Sequence, residues 1–346
     1  MQVLVFFRAI IDWFRAETGG VALQRFYLTA PQKNRVKWHV LLAIAWLALA
    51  GGCARLPATG VTPLKPASPG ELRAYLLKHK ADVDQFRLRG PFEVAVENDS
   101  ELRLSDKERI VADWYLSAPA EKAPLVILLH GHDNSKDDHA YQAYHLATWG
   151  MHGLAVTLPN NGPWVDNGRT LARIVTHIRR RPDLVDRRID VNRIILAGHS
   201  YGGAAAAIAL AVGAPAAGGI LLDAAGTGKE LPGYLRKIAR PMMLLGADER
   251  ISPVRDRNYF FFYIRSDVAE ISITDATHED AQFPLQPLLQ VPGGEPSTAT
   301  EELQITFVSA LTSAAFSLGQ TGNFDYAWRS FGEAIRTGKF INVKKK

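Results

Sequence analysis

Within the 346 residues, Gly198-His199-Ser200-Tyr201-Gly202-Gly203 is the segment whose residue types and spacing point most directly to chemistry. It lies between an apolar run at 193–197 and an Ala-rich stretch at 203–212, which read as a buried strand and a helix. In that setting G-x-S-x-G is a nucleophile elbow: the serine turns abruptly out of the strand, and the glycines let strand and helix approach closely. The start of the helix adds backbone N–H groups and partial positive charge near a developing oxyanion. A serine hydroxyl is a poor nucleophile at neutral pH and needs a base that a third group orients. Of the ten histidines only His278 follows His199, so a base supplied after the serine has one candidate. For the acid, Asp248 in Leu245-Gly246-Ala247-Asp248-Glu249-Arg250 is favoured, and Asp223, just beyond the apolar run at 219–222, is the alternative. Asp275, Glu279 and Asp280 read as solvated neighbours of His278.

These side chains are far apart in sequence and need a frame to bring them together. Runs at 125–129, 153–158, 193–197, 219–222 and 242–245 predict mostly apolar strands, 270–274 predicts a last short strand, and 140–149, 170–180, 203–212 and 301–319 predict helices. Continuous rather than alternating apolar runs suit strands covered on both faces. The expected class is α/β, a mostly parallel twisted sheet with helices on both sides and ligands outside the strand C-termini. Before that core, 92–96 and 109–116 predict two strands around a polar turn, and 71–86 predicts a charged amphipathic helix. The chain divides into a leader at 1–52, a linker with a short helix at 53–90 and a catalytic domain at 91–346. A Pro- and Gly-rich loop at 282–300 is the best candidate for a movable rim.

Composition narrows the function classes. With 47% hydrophobic and 22% charged residues the chain is of globular type, and one cysteine excludes an intrachain disulfide and a thiolate zinc site. The net charge is +5, but six of the basic and two of the acidic residues fall in 1–52, leaving the remainder balanced to within one charge. Nothing there predicts nucleic-acid binding, and Lys344-Lys345-Lys346 reads as a solvated tail. His130-Gly131-His132-Asp133 begins like a metal-binding box but continues with Asn134 and Ser135, so neither a catalytic metal nor a cofactor is expected.

From 125 to 284 the chain resembles α/β hydrolases, in particular the cutinase-like and poly(ethylene terephthalate)-hydrolase-like branch close to dienelactone hydrolases. The resemblance rests on His130-Gly131-His132, the Ser200 segment, Gly246-Ala247-Asp248 with Ser252-Pro253-Val254, and Asp275-Ala276-Thr277-His278. It implies an α/β-hydrolase fold and a serine esterase working through an acyl-enzyme, with Ser200, Asp248 and His278 as the triad. It also implies an oxyanion hole from the backbone N–H groups of His132 and Tyr201, with the His130 side chain bracing its loop. Those polyesterases usually carry an aromatic platform where this chain has Asp223-Ala-Ala-Gly-Thr-Gly-Lys229, which argues for small-molecule or lipid-like esters rather than polymers. Trp164 and Tyr201 are candidates for the acyl pocket, Trp164 equally for the core. An acyltransferase with the same triad and a catalytically silent binding lipoprotein are the alternatives.

The leader carries its own signal. Lys33, Arg35 and Lys37 precede an apolar run at 39–50 and Gly51-Gly52-Cys53, the order of a secretory signal. At 1.5 Å per residue the run is less than about 20 Å long, too short for the hydrocarbon layer. Leu49-Ala50-Gly51-Gly52-Cys53 resembles a bacterial lipobox, which implies lipidation of Cys53 and an outer-membrane lipoprotein held through its N-terminus, with a periplasmic or secreted protein as the alternative. The long segment before the basic flank suggests a translation start further downstream.

Overall fold

The computed structural model describes residues 68–119, 121–158, 164–226, 228–252, 254, 257–284 and 299–346. The leader, Cys53 and nearly all of the tether lie outside the described residues, as does most of the loop at 282–300. Residues Leu64–Lys346 form one compact unit.

The chain enters it through α1 (Pro69–Lys78), whose start is set by Ser68 accepting from Glu71 N–H at 3.2 Å and by proline in the first turn. The helix expected over 71–86 breaks in two, because Asp82 caps a separate 3-10 turn, Val83–Arg87, by accepting from Asp84 N–H. Leu72, Leu76, Val83 and Phe86 are buried in the main core, so this segment belongs to the domain and not to a linker.

An antiparallel hairpin follows, β1 (Val94–Arg103) and β2 (Arg109–Ser117). Then strands and helices alternate: β3 (Ala123–Leu129), α2 (Ala140–Thr148), β4 (His152–Val156), α3 (Trp164–Arg180), β5 (Ile189–His199) and α4 (Tyr201–Ala211). They continue with β6 (Gly218–Leu222), α5 (Leu231–Leu235), β7 (Met242–Gly246), α6 (Arg257–Tyr263) and β8 (Val268–Ile273). The chain closes with α7 (Ala299–Thr321), α8 (Asp325–Ser330), α9 (Gly332–Arg336) and β9 (Phe340–Lys345).

The nine strands form one sheet in the order β1-β2-β4-β3-β5-β6-β7-β8-β9, parallel from β4 to β8. All residues of β3, β4, β6, β7 and β8 are buried, which matches the unbroken apolar runs of β3, β6 and β7, while β4 and β8 also bury His152, Glu270 and Ser272. One hydrophobic cluster packs α1, α2 and α7 on one face, and a second packs α3, α4, α5 and α6 on the other. After β3 the chain moves outward to β4 and then returns to β5 on the other side of β3. The C-terminal ends of β3 and β5 therefore flank a switch point, the place where open α/β sheets bind ligands.

The last 20 residues correct two expectations. The helix at 301–319 is not the final element, and Lys344–Lys346 is not a free tail. Phe340, 1% exposed, buries itself in the core and draws the chain into an antiparallel edge strand in which Lys345 pairs with Ala269. Among the described residues no helix is long and apolar enough to cross a membrane.

Candidate active site

The register of the sheet assembles the site. Leu129 at the end of β3 lies opposite Gly198, and His199 lies opposite Leu222, so the loop after β3, Ser200 and Asp223 meet at one rim. Ser200 has φ 53° and ψ −125°, a region that costs of order 1–3 kcal/mol for a side-chain-bearing residue. The fold around it over-determines that geometry: Ser200 N–H donates to Leu222 O at 3.1 Å, and Ser200 O accepts from Gly203 and Ala225 N–H, both at 3.0 Å. Close approach is built in, since a Cβ on Gly198 would fall 2.4 Å from Gly202 O and one on Gly202 2.3 Å from His130 O. A Cβ on Gly131 would sit 3.0 Å from that of Ser200, so glycine there keeps the space beside the hydroxyl clear.

His278 lies in the loop after β8, its side chain 15% exposed, with Nδ1 2.7 Å from Asp223 Oδ2. A carboxylate only accepts, so Nδ1 carries the proton and Nε2 is the nitrogen left to take one. Ser200 Oγ and His278 Nε2 are not hydrogen-bonded to each other; such contacts often tighten only when substrate is bound.

The carboxylate beside His278 is thus Asp223, not Asp248. Asp248 is also fully buried, but its oxygens are taken by the Arg250 guanidinium, by Arg250 N–H at 3.0 Å and by Asp275 N–H at 2.9 Å. It is the pivot of its own turn: Asp248 O also accepts from Ser252 N–H at 2.8 Å. Asp280, expected to be solvated, is 1% exposed and accepts from the Thr277 backbone N–H and hydroxyl, which shapes the loop that carries His278.

Asp223 is surrounded by donors, two of which, Ala247 and Ser252, stand in the motifs quoted above without a role toward it. Besides His278, Oδ2 accepts from the Ser252 hydroxyl at 3.0 Å, while Oδ1 accepts from Ala247 N–H at 2.9 Å and Arg257 Nη1 at 2.7 Å. Burial pushes this carboxyl upward, but His278 and the Arg257 charge outweigh it and hold the group below its usual range. Arg257, 2% exposed, stands at the start of α6 and also reaches Glu249 and Ser272, with the buried Glu270 at 3.4 Å from its Nε. Gly246 makes room for it: a Cβ there would overlap the guanidinium, 1.9 Å from Nη1. The Gly246-Ala247-Asp248 motif contributes through its glycine and a backbone N–H, and only locally through its aspartate.

Tyr201 heads α4, so its N–H has no partner within the helix. His132 lies in the turn after β3, its side chain exposed and 3.3 Å from Asp133. His130 is fully buried; its Nδ1–H donates to Gly131 O at 2.7 Å and its Nε2 accepts from Leu158 N–H at 2.9 Å, which ties the loop after β3 to the chain leaving β4. Burial lowers its pKa, in keeping with a neutral ring that both donates and accepts. His199 is buried too and donates Nε2–H to His278 O at 3.0 Å, tying the elbow to the loop that carries the base. Trp164, 5% exposed, stacks on Tyr201 with ring centroids 4.9 Å apart, and His132 meets both rings edge-on at 6.2 Å. These three rings form an aromatic wall built around Tyr201, the residue after Ser200.

Among the described residues no group of three or more His, Cys, Asp or Glu side chains could hold a metal ion. The arrangement suits an activated hydroxyl: an elbow serine, an imidazole whose Nδ1 faces a buried acid, and an ionised carboxylate that orients the ring. A comparison with curated proteins finds no match. A model of the alpha/beta hydrolase family matches residues 126–331, which run from β3 through the elbow and the base to the end of α8. On both the sheet and that match, the chain belongs to the alpha/beta hydrolase family.

Proposed function

We propose that the protein is a serine esterase acting through an acyl-enzyme, with Ser200 as nucleophile, His278 as base and Asp223 as the acid. The observation that carries this reading is the 2.7 Å hydrogen bond from His278 Nδ1 to the buried Asp223, on the rim where Ser200 leaves β5. Ser200 Oγ attacks the ester carbonyl carbon and its proton passes to His278 Nε2; Asp223 stabilises the imidazolium. The backbone N–H groups of Tyr201 and His132 receive the oxyanion, each such donor being worth about 10²–10³ in rate. The imidazolium returns its proton to the departing alkoxide. Water then repeats the sequence on the acyl-enzyme, releasing the acid and restoring Ser200.

The wall formed by His132, Trp164 and Tyr201 favours an apolar group on one side of the scissile bond. This supports a placement near the cutinase-like and dienelactone-hydrolase-like branch with small or lipid-like esters as substrates. We further propose that Cys53 is lipidated and holds the enzyme at a bacterial outer membrane. Fluorophosphonate labelling tests the chemistry: the wild type is expected to label and Ser200→Ala not to. A labelled Ser200→Ala variant, or an unlabelled wild type, would overturn the reading. A series of p-nitrophenyl esters of increasing chain length then measures the acyl pocket.

A further inference from the structure

Phe262, 72% exposed, and Tyr259, 50% exposed, are the only exposed Phe, Tyr or Trp side chains among the described residues, and both stand on α6. Cations lie against the neighbouring rings. Arg236 lies 4.5 Å over the Tyr263 ring, Lys346 lies 4.9 Å from the Phe261 ring and donates to Phe262 O at 3.2 Å, and Lys344, paired with the buried Glu270 at 3.6 Å, lies 5.7 Å from the Phe261 ring. Within 257–267 the single acidic residue is Asp267.

The topology says which way this face looks. α6 ends at Tyr263, shortly before β8 begins at Val268, and Lys346 pairs with Val268. The helix starts at Arg257, on the side of Asp223, so it is its last turn, with Phe262 and Tyr263, that lies toward the end of the sheet where the parallel strands start. Ser200, Asp223 and His278 follow the opposite ends of β5, β6 and β8. The chain also enters the body at the starting end: a Cβ on Gly150, just before β4, would lie 3.5 Å from the Pro69 side chain.

We propose that this face is an interfacial docking surface for an anionic phospholipid bilayer, which sets the body down with Ser200 pointing away from the lipid. Amphipathic rings settle at headgroup level, and Lys and Arg beside them meet anionic headgroups. A second copy of the chain fits less well, because a two-fold contact would press the same cations against one another. The inference needs neither the serine chemistry nor a lipid on Cys53.

The test uses the full chain carrying Cys53→Ser, with an environment-sensitive dye on Phe262→Cys in one sample and on Val111→Cys in another. Val111 is exposed and lies at the opposite end of the sheet, where its carbonyl accepts from Thr157 N–H. Vesicles of phosphatidylethanolamine with about 30% phosphatidylglycerol are expected to shift the dye at 262 to the blue and shield it from an aqueous quencher. The dye at 111 is expected not to respond, and the response at 262 is expected to fall with phosphatidylcholine vesicles or about 0.5 M salt. Three outcomes would overturn the proposal: an unchanged dye at 262 while the protein sediments with vesicles, an equal response at 111, or a dye at 262 already shielded in a lipid-free dimer. Hydrolysis of p-nitrophenyl acetate by the same samples in buffer reports separately on the serine reading.

Discussion

Asp223 and Asp248 follow neighbouring strands, are both fully buried and are both bonded to an arginine, yet only Asp223 reaches His278. Their arginines differ. Arg250 is two residues from Asp248, with a side chain 66% exposed, and the pair closes a local turn. Arg257 comes from a different element, is 2% exposed and is shared by Asp223, Glu249 and Glu270. A carboxylate filled by the arginine of its own turn and by the Asp275 backbone N–H is structural; one held by Arg257, Ser252 and Ala247 N–H with an oxygen left for the imidazole can face a base in a fixed orientation.

The largest expected effect would break this contrast outright. Asp223→Asn should lower kcat for a p-nitrophenyl ester by about 10⁴, as the loss of a triad carboxylate does elsewhere, whereas Asp248→Asn should cost less than about tenfold. The reverse ranking would return the acid to the loop after β7.

Next in size is stability. Arg257→Met leaves Asp223 buried without its cation, and Glu270 with Lys344 alone, and should lose about 3–5 kcal/mol in urea unfolding, with Arg257→Lys losing less. Arg250→Met, at an exposed site, should shift the midpoint far less. Equal shifts would mean that burial of the arginine does not distinguish the two sites.

Acid sharpens the comparison further. Asp223 and Asp248 both sit below their usual range, so what they add to stability is complete above the ordinary Asp value near 4 and is lost only below it. Loss at milder acidity must come from other groups. Burial takes His145 and His152 down to about 4, so between 6.5 and that value the unfolded chain binds protons that the folded chain refuses. Each should remove about 2 kcal/mol by pH 4.5, and His145→Gln should flatten the slope measured by urea melts at stepped pH. An unchanged slope would assign the loss elsewhere.

Ser252→Ala carries the smallest expected effect. It removes one neutral donor from Asp223 while leaving three, a change of about 1 kcal/mol that should appear as a several-fold fall in kcat with little change in KM. A loss as large as that of Asp223→Asn would make Ser252 more than a positioning residue.

The pieces legible from the chain were those whose signal is local. The elbow could be read because G-x-S-x-G needs only five consecutive residues between a strand and a helix, and His278 because no other histidine follows His199. The parallel strands announced themselves through unbroken apolar runs. The acid could not be chosen in this way: Asp223 and Asp248 each follow a strand, and the deciding contacts come from His278, Ser252 and Arg257. Arg257 had no local signal, since an arginine at a helix start reads as solvated. β9 escaped because Phe340-Ile-Asn-Val343 is too short to predict a strand without β8 beside it.

Sequence alone determined a layered α/β body, a serine on a sharp strand-to-helix turn and one histidine able to serve it, because backbone propensity and apolar patterning act over a few residues. Only the tertiary structure decided which aspartate faces that histidine, which arginine keeps it ionised and which surface gathers exposed rings and cations. Those outcomes depend on the register of six parallel strands and on the cost of burying charge without a partner, and neither quantity is a property of any short stretch of chain.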